Sequence, residues 1–178
     1  HVGGEGLVGE LAGARDYIKR TRELTNKPFA ANVTLYFPGA DRNAEILIEN
    51  KVPVVNYALG KGDKIAKAVH AYGGKVIATV TTLKHAMAAQ RDGADALIVT
   101  GHEAAGHGGA VTSLVLIPSI VDAVDIPVIA AGGFADGRGL AAALLLGAEG
   151  ISMGTRFMNT TESPVHESQK ALSNTLTV

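Results

Sequence analysis

The 178-residue sequence has no cysteine and no tryptophan, and its aromatic residues amount to 4%. Without cysteine there are no disulfides, no thiolate metal sites and no cysteine nucleophile, and a reducing compartment such as the cytoplasm is the expected location. Scarce aromatics argue against a β-sandwich, whose strands favour them. No apolar run approaches the roughly 18 residues of a membrane span, and no secretory signal pattern is seen. Net charge is −1 and no basic run occurs. A nucleic-acid or membrane partner is therefore not expected.

What is present is ample apolar content, 47%, together with 22 glycines. That composition excludes disorder and suits short strands, tight turns and alanine-rich helices. Short apolar runs at residues 28–35, 52–58, 75–80, 95–101, 126–133 and 150–155 read as strands. Between them, residues 40–50, 63–73, 82–93, about 116–124 and 136–147 read as helices, and a further helix lies in the opening segment. The strands are apolar throughout rather than alternating, which predicts burial on both faces in a parallel sheet. Gly73, Gly93 and Gly147 each stand between a helix and the next strand, where a left-handed residue reverses the chain.

Strand–helix alternation admits an open doubly wound sheet or a closed (β/α)8 barrel. A complete barrel typically takes about 250 residues and eight strands, so the expectation is an α/β fold: a single, incomplete TIM-barrel domain over residues 1–178. No linker, low-complexity segment or second domain is apparent.

Two stretches carry chemistry. PVIAAGGFADGRG (residues 127–139) and ISMGTRF (151–157) put glycine at the ends of adjacent strands. Backbone amides there can hold a phosphate, with glycine allowing close approach. Gly132, Gly133, Gly154 and Thr155 are the candidates. Gly137 and Gly139 read as helix-start and packing positions, and Arg138 as a salt-bridge former. GGFADGRG is not the dinucleotide fingerprint, because GRG stands inside a helix and no acidic residue follows at the needed distance.

The other stretch is ALIVTGHEAAGHGGAV, residues 96–111. His102 and His107 are five apart rather than four, and the glycines make a continuous helix improbable, so the zinc pattern H-E-x-x-H is not met. No metal is expected. A histidine on a loop at the C-terminal end of a barrel strand is instead placed for proton transfer. Position alone does not choose between His102 and His107. Arg15, Lys19, Arg20 and Arg22 read as a solvated helix face, and Asn56 and Tyr57 as strand-end residues able to line a pocket.

GHEAAGHGG, PVIAAGGFADGRGLAAALLLGAEGISMGTRF and PFAANVTL resemble the nitronate monooxygenase family, formerly 2-nitropropane dioxygenases, over about residues 21–167. The resemblance implies an FMN-dependent (β/α)8 barrel that oxidises nitroalkanes or alkyl nitronates with oxygen to carbonyl compounds and nitrite. It implies His107 as the catalytic histidine and Asn32 as an asparagine near the flavin. Gly132, Gly133, Gly154 and Thr155 fall on the FMN phosphate loops, and Thr34, Thr79, Ala105 and Ala131 on strand ends beside the flavin. Ala105 stands where many members carry glycine. The family's first-strand glycine segment and C-terminal helical region have no counterpart in these residues. The same scaffold also serves NAD(P)H:quinone reductases and flavin-dependent enoyl-acyl-carrier-protein reductases. A non-catalytic phosphate-ligand binder is a further alternative, and a homo-oligomer is compatible with the reading.

Overall fold

The computed structural model describes residues 11–104 and 108–175. After helix α1 (Leu11–Leu24), strands and helices alternate: β1 (Ala30–Thr34), α2 (Ala40–Glu49), β2 (Val54–Ala58), α3 (Asp63–His70), β3 (Lys75–Val80), α4 (Leu83–Arg91), β4 (Ala96–Thr100), α5 (Ser113–Val121), β5 (Val128–Ala131), α6 (Gly137–Leu145) and β6 (Gly150–Ser152). The short α7 (Thr155–Met158) and α8 (Glu167–Thr175) follow. Any strand remnant before residue 11 lies outside the described residues.

The six strands form one sheet in the order β1-β2-β3-β4-β5-β6, every pair parallel. Parallel crossovers are right-handed, so a strand order without reversal winds every connecting helix onto the same face. A doubly wound sheet reverses its order to cover both faces. This sheet does not reverse, and it is the wall of a (β/α)8 barrel.

The strands alternate in burial. Val55, Tyr57, Val76, Ala78, Leu97, Val99, Val128 and Ala130 are buried on one side. There they join Ile46, Leu47, Ile65, Val69, Ala86, Ile117, Ile120 and Ala143 of the helices in one core. The opposite side carries Thr34, Asn56, Ile77, Thr79, Ile98, Thr100 and Ile129, all half-buried. Helices cover one face; the other, where Ile77, Ile98 and Ile129 stand beside Asn56 and the threonines, is the face that a (β/α)8 barrel turns inward and packs.

The three glycine stops are as expected, with φ of +81°, +95° and +89° at Gly73, Gly93 and Gly147. Each closes a Schellman pair; Gly73 N–H reaches His70 O at 3.0 Å while Gly74 N–H reaches Val69 O at 3.1 Å. Helix α2 ends in the same motif (Lys51 N–H to Ile48 O 2.9 Å, Val52 N–H to Leu47 O 3.1 Å), but with Lys51 at φ +47° in the left-handed position. Beneath the sheet, at the N-terminal ends of the strands, Asp95 gathers the Val76 N–H (2.7 Å), the Lys75 ammonium (2.9 Å) and the His70 ring (2.8 Å).

Candidate active site

The parallel strands end together, and those C-terminal ends bring most of the expected residues to one rim. Thr34, Ala58 and Thr79 are register partners across β1, β2 and β3, while Thr100, Ala131 and Ser152 are partners across β4, β5 and β6. Asn56 Nδ2 donates to Thr79 Oγ1 at 3.0 Å and to Ile77 O at 3.2 Å. Asn32 Nδ2 reaches Thr34 Oγ1 at 3.4 Å.

A cavity of about 870 Å³ opens over these ends. Thr34, Ala58, Thr79 and Thr100 line it, together with Tyr36, Phe37, Leu59 and Lys61 and, on the α4 side, His85 and Arg91. Sequence reasoning missed Tyr36, Phe37, Leu59, Lys61 and Thr100. Of these five, Leu59 stands at φ +56° on a branched side chain, a feature that the structure alone shows. Tyr57 also borders the cavity, but its ring is buried on the helix side beneath Gly62, where an added Cβ would stand 2.1 Å from the ring. Burial, with smaller contributions from Asp92 and Asp63, pushes its phenol up to about 12. Asn56 does not line the cavity; it holds Thr79, which does.

The two glycine turns lie at the neighbouring ends of β5 and β6, outside that lining. Gly132 and Gly133 have φ of +93° and +78°. An added Cβ on Gly132 would stand 3.1 Å from Ala104 N, and one on Gly133 would stand 3.3 Å from Glu103 Cβ. These glycines therefore let the β4–α5 loop lie directly on the turn, a reason the sequence did not suggest. Gly154 differs: its φ is −94° and its Cβ direction is open. The N–H groups of Gly133, Phe134, Thr155 and Arg156 donate to no acceptor among the described residues. Thr155 does not end a strand as expected. β6 stops at Ser152, and Thr155 opens α7 with Gly154 as its cap.

The N-terminus of α6 is already served. Asp136 accepts from Arg138 N at 2.9 Å and Gly139 N at 3.3 Å, and its other oxygen pairs with the Arg138 guanidinium at 2.7 Å. Hydrogen bonds from that guanidinium, then from the two amides, hold the Asp136 carboxyl below its ordinary range. Gly139 packs against Phe134. The helix-start, packing and salt-bridge readings of Gly137, Gly139 and Arg138 describe this turn.

His107 and Ala105 lie outside the described residues. Around them, residues 102–104 form a turn rather than a helix. His102 N–H donates to Val111 O at 2.9 Å, and the ring Nδ1 lies 3.0 Å from Gly109 O. A carbonyl only accepts, so Nδ1 carries the hydrogen and Nε2 is left as the basic nitrogen of the neutral ring. Glu103 stays exposed but reaches α5, accepting from Ser113 N at 3.0 Å and from Ser113 Oγ at 2.8 Å. Partial burial pushes its carboxyl up, but backbone and Ser113 hydrogen bonds and the nearby His102 outweigh that and lower it overall.

The α1 cations are only partly a solvated face. Arg15 pairs with Glu49 and Arg22 donates to Asn50 O, tying α1 to the end of α2. Among the described residues no helix is long and apolar enough to cross a membrane.

The nitronate monooxygenase family model matches residues 34–176. An octahydroindene-carboxyl-CoA dehydrogenase of Rhodococcus jostii is 47% identical over 153 residues, covering 86% of this chain and 43% of that protein. A probable nitronate monooxygenase of Staphylococcus aureus is 40% identical, covering 69% and 38%. Among solved structures, a FabK mutant from Thermotoga maritima superimposes with a TM-score of 0.90 at 44% identity, covering 93% of this chain and 56% of that one. A nitroalkane oxidase from Streptomyces ansochromogenes superimposes at 0.82 and 29% identity, covering 90% and 59%. The chain thus spans less than half the length of these curated relatives.

Proposed function

The chain belongs to the nitronate monooxygenase family, and from that premise we propose that it forms most of the barrel of an FMN-dependent oxidoreductase that converts nitroalkanes or alkyl nitronates to carbonyl compounds and nitrite. The observation that carries the reading is the pair of glycine-led turns on adjacent strand ends, with N–H groups that meet no acceptor among the described residues, on the same rim over which the cavity opens. Those amides suit a phosphate monoester. The cavity falls in the roughly 300–1,000 Å³ range of small-molecule sites, and four threonines, Thr34, Thr79, Thr81 and Thr100, line it. The residues present therefore fit a mononucleotide.

In this reading Gly132, Gly133, Gly154 and Thr155 hold the phosphate through backbone amides and one hydroxyl. The α6 N-terminus contributes little, because Asp136 already occupies it. Asn32, Thr34, Thr79, Ala105 and Ala131 border the ring. FMN, when bound, would supply the electron acceptor for the nitronate, and oxygen would take those electrons on; in the alternative reductase reading NAD(P)H would instead donate electrons to the flavin. His107 takes the α-proton of a neutral nitroalkane, and its imidazolium then faces the charge left on the nitro group. With a preformed nitronate no proton is removed, and the ring acts only on that charge. Residues 1–178 act as one domain, and the cysteine-free composition fits the cytoplasm.

An absorbance spectrum of the purified full-length protein, with mass identification of any released flavin, tests the cofactor. His107→Ala is expected to lower turnover of neutral nitroethane far more than it weakens FMN; unchanged turnover removes the base assignment. A second reading, a carboxyl-CoA dehydrogenase, is favoured by the name of the 47%-identical relative, and the FabK likeness keeps the NAD(P)H-dependent reductase reading beside it. Mixing the protein with NADH under nitrogen separates these, since rapid flavin bleaching counts against a dedicated monooxygenase.

A further inference from the structure

Helix α5 is capped from a distance. Its own N-cap residue, Thr112, makes no side-chain capping bond. The first helical N–H, of Ser113, is taken by the Glu103 carboxylate at 3.1 and 3.0 Å, from ten residues earlier in the chain. Ser113 Oγ returns a bond to Glu103 Oε2 at 2.8 Å and stands 3.2 Å from Gly132 O and 3.4 Å from Ala131 O. Ser113 is 5% exposed. A carboxylate at a helix N-terminus is further favoured by the helix dipole.

The same loop is fastened at other points. Gly101 N–H reaches Ala131 O at 3.2 Å, and His102 closes the loop on Gly109 and Val111. A Cβ on Gly101 would lie 2.5 Å from Ser113 N and 2.6 Å from Glu103 Oε2, so glycine leaves room for the carboxylate. Gly132 and Gly133 press on Ala104 and Glu103 from the other side. One carboxylate and one hydroxyl thus sit between the loop bearing His107, the start of α5 and the turn after β5.

We propose that Glu103 and Ser113 are positioning residues: a clasp that holds the His107 loop and the Gly132–Gly133 turn in one fixed relation. Resting on the functional reading above, this sets the proton acceptor relative to the cofactor's phosphate anchor. Neither residue touches the reacting atoms. Their contribution is geometric, and a displacement of about 1 Å at such a site can cost a hundred-fold in rate.

The test uses the full chain with Glu103→Ala, Ser113→Ala and the conservative Glu103→Gln, which keeps an acceptor oxygen. Amide hydrogen exchange is read first. In Glu103→Ala, exchange is expected to rise about ten-fold or more in residues 101–104 and at Ala131 together, with β1 and β2 unchanged. Acceleration of the loop alone, leaving Ala131 as in wild type, overturns the clasp. Ser113→Ala keeps the backbone bond to Glu103 and covers the case in which Glu103→Ala does not fold.

Turnover is read second, with FMN and nitroethane as probes. Glu103→Ala is expected to lower kcat about a hundred-fold with a smaller change in KM, and Glu103→Gln to restore most of it. A wild-type kcat in a variant whose two segments have loosened overturns the positioning role. If wild type itself neither binds FMN nor turns over nitroethane, the functional reading fails, and the exchange arm still decides the clasp.

Discussion

Asn56 and Thr79 hold each other across β2 and β3: the amide Nδ2 donates to Thr79 Oγ1 at 3.0 Å, and that hydroxyl lies 3.2 Å from Asn56 Oδ1. The pair fixes the orientation of a hydroxyl that lines the cavity. Thr79→Val removes the hydroxyl that both ends of the half-buried amide meet, leaving Nδ2 only Ile77 O, and is expected to cost about 1–2 kcal/mol of stability, read by urea denaturation. FMN titration of the same variant reports separately on the cofactor role. Binding equal to wild type removes Thr79 from the flavin site while the stability loss stands.

The glycines of the two turns separate under substitution. Gly132→Ala forces an alanine to φ +93° and sets its Cβ 3.1 Å from Ala104 N. A loss of about 1–3 kcal/mol is expected, seen as a lower Tm. Gly154→Ala meets nothing within 4 Å at φ −94°, so its stability is expected to stay within about 0.5 kcal/mol of wild type. If the β6 turn binds phosphate, the same variant weakens FMN. Unaltered FMN affinity counts against Gly154 as an anchor.

Lys51 occupies a left-handed position at φ +47° that glycine fills at the ends of α3, α4 and α6. Lys51→Gly relieves that strain at some cost in chain entropy. The net is expected to be a gain of roughly 0.5–1 kcal/mol, measured by thermal denaturation. A lower Tm would mean that the lysine side chain makes a compensating contact.

Acid should loosen the N-terminal rim of the sheet through Asp95. Burial pushes its carboxyl up, but hydrogen bonds from Lys75, His70 and the Val76 amide more than offset this, so it titrates below the ordinary aspartate range. A carboxyl depressed in the folded state stabilises above its unfolded pKa, and that stability is lost as pH falls through the folded value. The wild type is therefore expected to lose stability below about pH 4 more steeply than Asp95→Asn, which lacks the titrating group. Denaturation midpoints across that window measure the difference, and parallel slopes would remove Asp95 as a source.

Much of this protein is written locally. The apolar runs marked six strands, because a strand's signal lies within a handful of residues. Gly73, Gly93 and Gly147 marked helix ends, because one left-handed residue suffices to turn the chain. Gly132 was legible as a strand-end glycine, whereas Thr34, Thr79 and Ala131 were implied only by the family resemblance; the parallel sheet sets the three at strand ends on the same side. Only the tertiary structure decided that the helices cover a single face and leave Asn56 and Thr79 on the other. It alone turned Glu103 onto Ser113 and set Gly132 and Gly133 beneath that loop. No periodicity reports those contacts, since each joins residues ten to thirty positions apart through packing and hydrogen bonds that exist only once the sheet has formed.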